Sequence, residues 1–186
     1  MLKKFLFVVV LTAVVAGCAV CKGVKNPDQD EPPVIVGSYA AESIRPGASW
    51  RVYLKAQDSD GDMDAIVAQI WQPGVGYYPS AFIYTKGENR EGFAGYVFLR
   101  TPTDRRLLHD QVQLEVFVRD CGGNKSETVK LTLRFDNKAG GYGPLAAPEE
   151  WQEAANNELG VIQVQIRSSE AYNSAEGENS LWLSLR

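Results

Sequence analysis

Residues 111–135 read QVQLEVFVRDCGGNKSETVKLTLRF, and this stretch decides the fold. Val112, Leu114, Val116 and Val118 alternate with Gln111, Gln113, Glu115 and Phe117. Val129, Leu131, Leu133 and Phe135 alternate in the same way with Thr128, Lys130, Thr132 and Arg134. A period of two puts one set on a buried face and the other towards water, the pattern of a half-buried strand. DCGGNKS (120–126) between them is a cluster of turn residues, so the two strands form a hairpin.

Working outward, Trp50, Val52, Leu54 and Ala56 alternate with Arg51, Tyr53, Lys55 and Gln57, which predicts a third strand. Weaker strands are expected at 34–40, 66–72, 81–86 and 93–99. Seven short strands within residues 34–137, with turn signals between them and no helix, predict an antiparallel β-sandwich. Each strand hides one face between two sheets and wets the other. The stretches LKAQDSDGDMDAI (54–66) and VFVRDCGGNKSETVKLTLRF (116–135) resemble immunoglobulin-like modules of bacterial surface proteins, fibronectin-type and PKD-like domains included. Such modules carry an Asp-rich turn after the second strand and an Asp-Gly-Asn turn between the last two. The resemblance implies an all-β, immunoglobulin-like sandwich over Val34 to Asn137. The Cys…Trp…Cys spacing and the tyrosine corner of antibody domains are absent.

The chain begins MLKK and runs apolar from Phe5 to Ala16. A basic start followed by a short apolar run predicts an export signal over residues 1–17. That run is too short to cross a bilayer, which takes about 20 residues. Val15-Ala16-Gly17-Cys18 resembles the lipobox of bacterial lipoproteins. The resemblance implies diacylglycerol in thioether linkage to Cys18, cleavage before it and acylation of the new amino terminus. Ala19 in the following position implies the outer membrane if the cell has one. At about 0.8 kcal/mol per buried methylene, several acyl chains make a lasting anchor. Residues 18–33 are proline-bearing and aperiodic, and are expected to act as a tether.

Beyond the sandwich, residues 138–147 (KAGGYGPLAA) read as a linker and 148–186 as an appendage. Pro148, Glu149 and Glu150 suit the start of a helix, and Trp151, Ala154, Ala155 and Leu159 share one face of it. Ile162, Val164 and Ile166 predict a strand, and Leu181, Leu183 and Leu185 a second, giving a hairpin. So few apolar residues cannot sustain a separate core, so the appendage is expected to pack on the sandwich or on a partner.

Formal charge is −4 over 186 residues, and −6 once Lys3 and Lys4 leave with the signal. An acidic chain lacks the basic footprint of a nucleic-acid binder. A single histidine excludes a three-histidine metal centre. Asp58, Asp60, Asp62 and Asp64 occupy alternate positions, where four carboxylates repel unless offset. They read either as a calcium site or as a metal-free turn in which aspartates accept backbone amides. The EF-hand spacing is not met, because Gly61 stands fourth and Gln69 twelfth in the loop. Trp71, Tyr77 and Tyr78 either offer rings to a sugar or protein ligand or fill the core and cover a hairpin end. Cys21 and Cys121 either pair, as export permits, or remain free thiols. His109-Asp110 invites a general-base reading, but no nucleophile motif accompanies it. AGGYG (139–143) lacks the lysine and hydroxyl of a phosphate loop.

These readings predict no catalytic residues and no resident cofactor, with calcium as the conditional exception. The expected function is a membrane-anchored, non-catalytic binding or structural module of the bacterial cell envelope, with an envelope protein or a glycan as partner. The alternative is a calcium-dependent carbohydrate-binding module, which requires both the aspartate cluster and the aromatic loop.

Overall fold

The computed structural model describes residues 31–139 and 146–170. Ten strands lie within them: β1 Val34–Ala40, β2 Ser43–Ile44, β3 Ser49–Gln57, β4 Met63–Gln72, β5 Gly76–Tyr77, β6 Ala81–Tyr84, β7 Gly92–Arg100, β8 Gln111–Asp120, β9 Val129–Phe135 and β10 Glu158–Ile162. One sheet has the order β1-β3-β7-β10. The facing sheet has the order β2-β9-β8-β4, with β5 and β6 both pairing β4. Strands close in sequence thus divide between two layers, and the fold is an immunoglobulin-like β-sandwich. All seven strands expected over 34–137 are present.

The expected faces hold on the central strands. Trp50, Val52, Leu54 and Ala56 of β3 meet Val112, Leu114, Val116 and Val118 of β8 in the buried core. The Trp50 indole donates to the Ala41 carbonyl at 2.8 Å, so this large side chain is buried with its polar atom satisfied. Strand β4 begins at Met63 rather than 66, because Met63 pairs with Asp120 across β8. On β9 the alternation weakens towards the turn. Leu133 and Phe135 are fully buried, whereas Val129 and Leu131 are half-buried. Strand β2 pairs only with Arg134 and Phe135, so the first half of β9 is a sheet edge.

Residues 148–170 depart from the sequence reading. No α-helix forms at 149–159. Two single 3-10 turns, Glu149–Trp151 and Ala154–Asn156, replace it. An eleven-residue helix is marginal in water, and β7 offers a row of unsatisfied backbone groups at the sheet edge. Residues 158–162 take that edge as β10, parallel to β7. The strand expected at 161–167 is therefore displaced towards the N-terminus, and Ile166 is buried outside any strand. The expected strand at 181–185 lies outside the described residues.

Gly95 permits this docking. A Cβ there would sit 2.7 Å from both the Asn157 carbonyl oxygen and Leu159 Cγ. Asn157 binds the same strand twice: its carbonyl accepts from Tyr96 N–H and its side-chain amide donates to the Ala94 carbonyl, both at 2.9 Å. The 3-10 turns cover the outer face of the first sheet. There Trp151 and Ala154 bury Tyr53 and Tyr96 in a second apolar cluster.

Candidate functional site

The aspartate loop is held by its own hydrogen bonds. Asp58 is buried, and its carboxylate accepts from the backbone N–H of Asp60 at 3.0 Å and of Asp62 at 3.4 Å. Gly61 supplies the positive φ of 70° that this tight turn requires. Asp60 accepts from Glu31 N–H at 2.7 Å. Asp64 pairs with the Arg119 guanidinium at 2.6 Å. Asp58, Asp60 and Asp64 thus serve different partners, as in the metal-free turn of the two readings. Among the described residues no three His, Cys, Asp or Glu side chains form a group that could hold a metal ion.

The aromatic loop divides between two faces. Trp71 and Tyr77 are cross-strand neighbours on the outer face of the second sheet. Tyr78 points the other way. Its hydroxyl donates to Gln72 Oε1 at 2.7 Å and accepts from Arg167 N–H at 3.1 Å. Gln72 donates to the Arg167 carbonyl at 2.9 Å, and Ser169 donates to Asp110 through both N–H and hydroxyl. Burial pushes the Tyr78 phenol above its ordinary value. Tyr78 therefore belongs to a polar strap that fastens residues 167–169.

The same strap removes the His-Asp pair from consideration. Asp110 is committed to Ser169 and Gln72. His109 is exposed, with φ 76°, and its N–H donates to the Phe135 carbonyl. Among the described residues no hydrogen bond joins the His109 ring to Asp110 or Ser169.

Cys121 is disulfide-bonded. It sits just after β8, its N–H donates to the Asp62 carbonyl at 3.1 Å, and Arg90 Nη1 approaches its sulfur at 3.8 Å. Cys18 and Cys21 lie outside the described residues.

The remaining exposed aromatics form a surface that the sequence reading did not identify. Phe82 of β6, Val67 of β4 and Phe117 of β8 lie in one register row, and Tyr84, Ala65 and Arg119 in the next. Phe82 is 49% exposed, Tyr84 67% and Tyr77 61%. Arg119 lies over the Phe82 ring at 5.7 Å and Lys125 over Phe117 at 5.0 Å. Strand β6 was legible at 81–86, but the exposure of its outward rings depends on what lies above them. The outer face of the first sheet is covered by residues 147–157, and no described segment covers the second.

No protein-family model matches the chain, and no curated protein matches it at the significance required. Solved structures do match. A PKD domain of an M14-like peptidase from Thermoplasmatales archaeon SCGC AB-540-F20 is 14% identical, over 58% of this chain and 99% of that one, with TM-score 0.38. The human seminal-plasma complex of zinc 2-glycoprotein and prolactin-inducible protein contains a chain 12% identical, over 60% of this chain and 100% of that one, with TM-score 0.33. A CARDB domain of Pyrococcus furiosus, solved with two metal ions, is 9% identical over 56% of this chain and 90% of that one, with TM-score 0.32.

Proposed function

We propose that this chain is a lipid-anchored, non-catalytic binding module of the bacterial cell envelope, with its contact surface on the outer face of β4, β6 and β8. The anchor is Cys18, supported by the basic start, the short apolar run and VAGC in succession. The observation that carries the binding reading is the pair Phe82 and Tyr84 in adjacent register rows, large rings left exposed where Arg119 lies over Phe82, with exposed Tyr77 farther along the same face. Aromatic residues and arginine are the side chains enriched at protein interfaces.

A protein partner fits this face better than a glycan. Sugar stacking needs open ring faces, and Arg119 and Lys125 occupy faces of Phe82 and Phe117. The test is capture of envelope proteins from crosslinked cells with wild type and with the double variant Phe82→Ala, Tyr84→Ala. The reading expects partner recovery to fall about tenfold or more, as for interface hot spots, with the melting temperature unchanged. Equal recovery with both proteins would refute the surface, and release of wild-type protein from membranes without detergent would refute the anchor.

A further inference from the structure

We infer that strand β6 is a self-pairing edge: a second copy of this chain adds its own β6 antiparallel to it, with Ile83 on the two-fold axis, and joins the two copies' second sheets into one. Among the described residues β6 pairs with β4 alone. Thr85 N–H donates to the Asp64 carbonyl at 2.9 Å, which sets the alternation along this antiparallel pair. Ile83–Ile66 and Ala81–Ala68 are then hydrogen-bonded pairs, and Tyr84–Ala65 and Phe82–Val67 are not. The backbone N–H and C=O groups of Phe82 and Tyr84 therefore point away from β4 into the open edge. No backbone hydrogen bond from another described segment reaches them. Strand β10 does not take that edge. It meets β6 from inside, where a Cβ on Gly160 would sit 2.6 Å from Ile83 Cγ2. The two residues whose rings are exposed thus also leave their backbone groups open.

An open edge invites another strand, and folded proteins blunt such edges with bulges, charges or covering segments. The longer free edges elsewhere in the sandwich are blunted in these ways. Strand β1 carries a register shift between Ile35 and Gly37, and β10 one between Glu158 and Gly160. The half of β9 that β2 leaves uncovered bears Lys130. Residues 81–84 (AFIY), by contrast, hold register with β4 without interruption and carry no charge.

This edge is complementary to itself. With Ile83 opposite Ile83 of the second copy, Phe82 faces Tyr84 of the second copy and Tyr84 faces its Phe82, and each pair exchanges both backbone bonds. Both outward residues are used, and cross-strand aromatic pairs of this kind are favourable. Beyond them Ala81 meets Thr85 and Ser80 meets Lys86, so no like charges are opposed. A two-fold pairing about Lys130 of β9 would instead set that lysine against its copy. The rings stay on the outer face, so the dimer carries two of the proposed contact faces side by side, while the pairing itself does not rest on that reading. A four-residue edge is far smaller than the about 20–30 residues a side of a standard interface, so the dimer is weak and reversible.

Sedimentation equilibrium of the full-length protein tests the pairing, in a large excess of detergent micelles so that two copies do not share one by chance. The expected result is a reversible monomer–dimer equilibrium over about 10–300 µM protein. Proline separates backbone from ring, because it deletes an N–H that faces away from β4 and is tolerated on such an edge. Phe82→Pro and Tyr84→Pro should each weaken the dimer about tenfold or more beyond Phe82→Ala and Tyr84→Ala, since each removes two symmetry-related hydrogen bonds. Should the proline variants lose the fold, an isotope-filtered NOE on an equimolar mixture of labelled and unlabelled wild type reads the register directly, with Ile83 Hα of one copy in contact with Ile83 Hα of the other. A monomer throughout would overturn the proposal and leave the edge to a strand of another protein. A dimer that folded proline variants keep at the affinity of the alanine variants, or that lacks the Ile83 contact, would overturn the edge pairing. Loss of partner capture in the Phe82→Ala, Tyr84→Ala variant would stand in either case, so failure of the edge and failure of the contact face are told apart.

Discussion

Trp151 lies across Tyr53 on the outer face of the first sheet, their ring centroids 6.0 Å apart and their planes inclined by 44°. Tyr39 completes a triangle of rings, 6.0 Å from Tyr53 and 6.3 Å from Trp151, and the Lys55 ammonium sits 4.8 Å from the Trp151 ring. This contact makes residues 148–162 part of the sandwich. Trp151→Ala should therefore destabilise the domain by about 3–5 kcal/mol, as large buried aromatics do. Urea unfolding would measure it, and a loss below about 1 kcal/mol would mean that the segment is not docked in solution.

Gly95→Ala tests the same docking from the other side. Its Cβ would press on the Asn157 carbonyl and Leu159, and overpacking of this kind costs about 1–3 kcal/mol. Amide exchange should accelerate in residues 158–162 and leave β8 protected. Uniform acceleration over the whole sandwich would contradict a local role.

Two leucines facing each other across β8 and β9 should differ. Leu114 is fully buried, and its register partner Leu131 is half-buried at a sheet edge. Leu114→Ala should cost about 2–5 kcal/mol, Leu131→Ala clearly less, and exposed Lys130→Ala least of the three. Matching midpoints for the two leucine variants would show that β9 is covered along its whole length.

These cases also mark how far the sequence was readable. Alternation fixes faces locally, so Trp50, Leu54 and Leu114 were legible from period alone. Tyr53 falls on the polar side of that alternation and Tyr96 on the outward face of β7, and Trp151 covers them from 98 and 55 residues farther along the chain. The spacing of Trp151, Ala154, Ala155 and Leu159 fits a helix, but the open edge of β7 rewards an extended strand at 158–162 more than a short isolated helix is worth. The aspartate loop shows the same limit, since alternate carboxylates say nothing of which backbone amides or arginines they meet.

Alkaline titration should expose the strap around Tyr78. Burial raises its pKa above 10.0, so the folded state favours the neutral phenol. That contribution is complete below the ordinary tyrosine value and is lost as pH rises through the raised one. Stability should therefore fall above about pH 10, and Tyr78→Phe should remove this part of the decline. An identical decline in the variant would place the sensitivity elsewhere.

Calcium at millimolar concentration should leave the melting temperature unchanged, because the Asp58, Asp60 and Asp64 carboxylates are committed to separate partners. Asp58→Ala should destabilise by about 1–3 kcal/mol by stranding the Asp60 and Asp62 amides. A calcium-dependent rise in melting temperature would reinstate the metal site.

The central claim is that the outer face of β4, β6 and β8 meets a protein of the envelope. The direct measurement is a photo-crosslinking scan in intact cells, with a photoreactive phenylalanine placed in turn at Phe82, Tyr84, Gln152 and Arg105. The account predicts one discrete protein adduct from Phe82 and Tyr84 and none from Gln152, on the covered sheet, or Arg105, at the far end. Adducts from Gln152 or Arg105, with none from Phe82 and Tyr84, would contradict it.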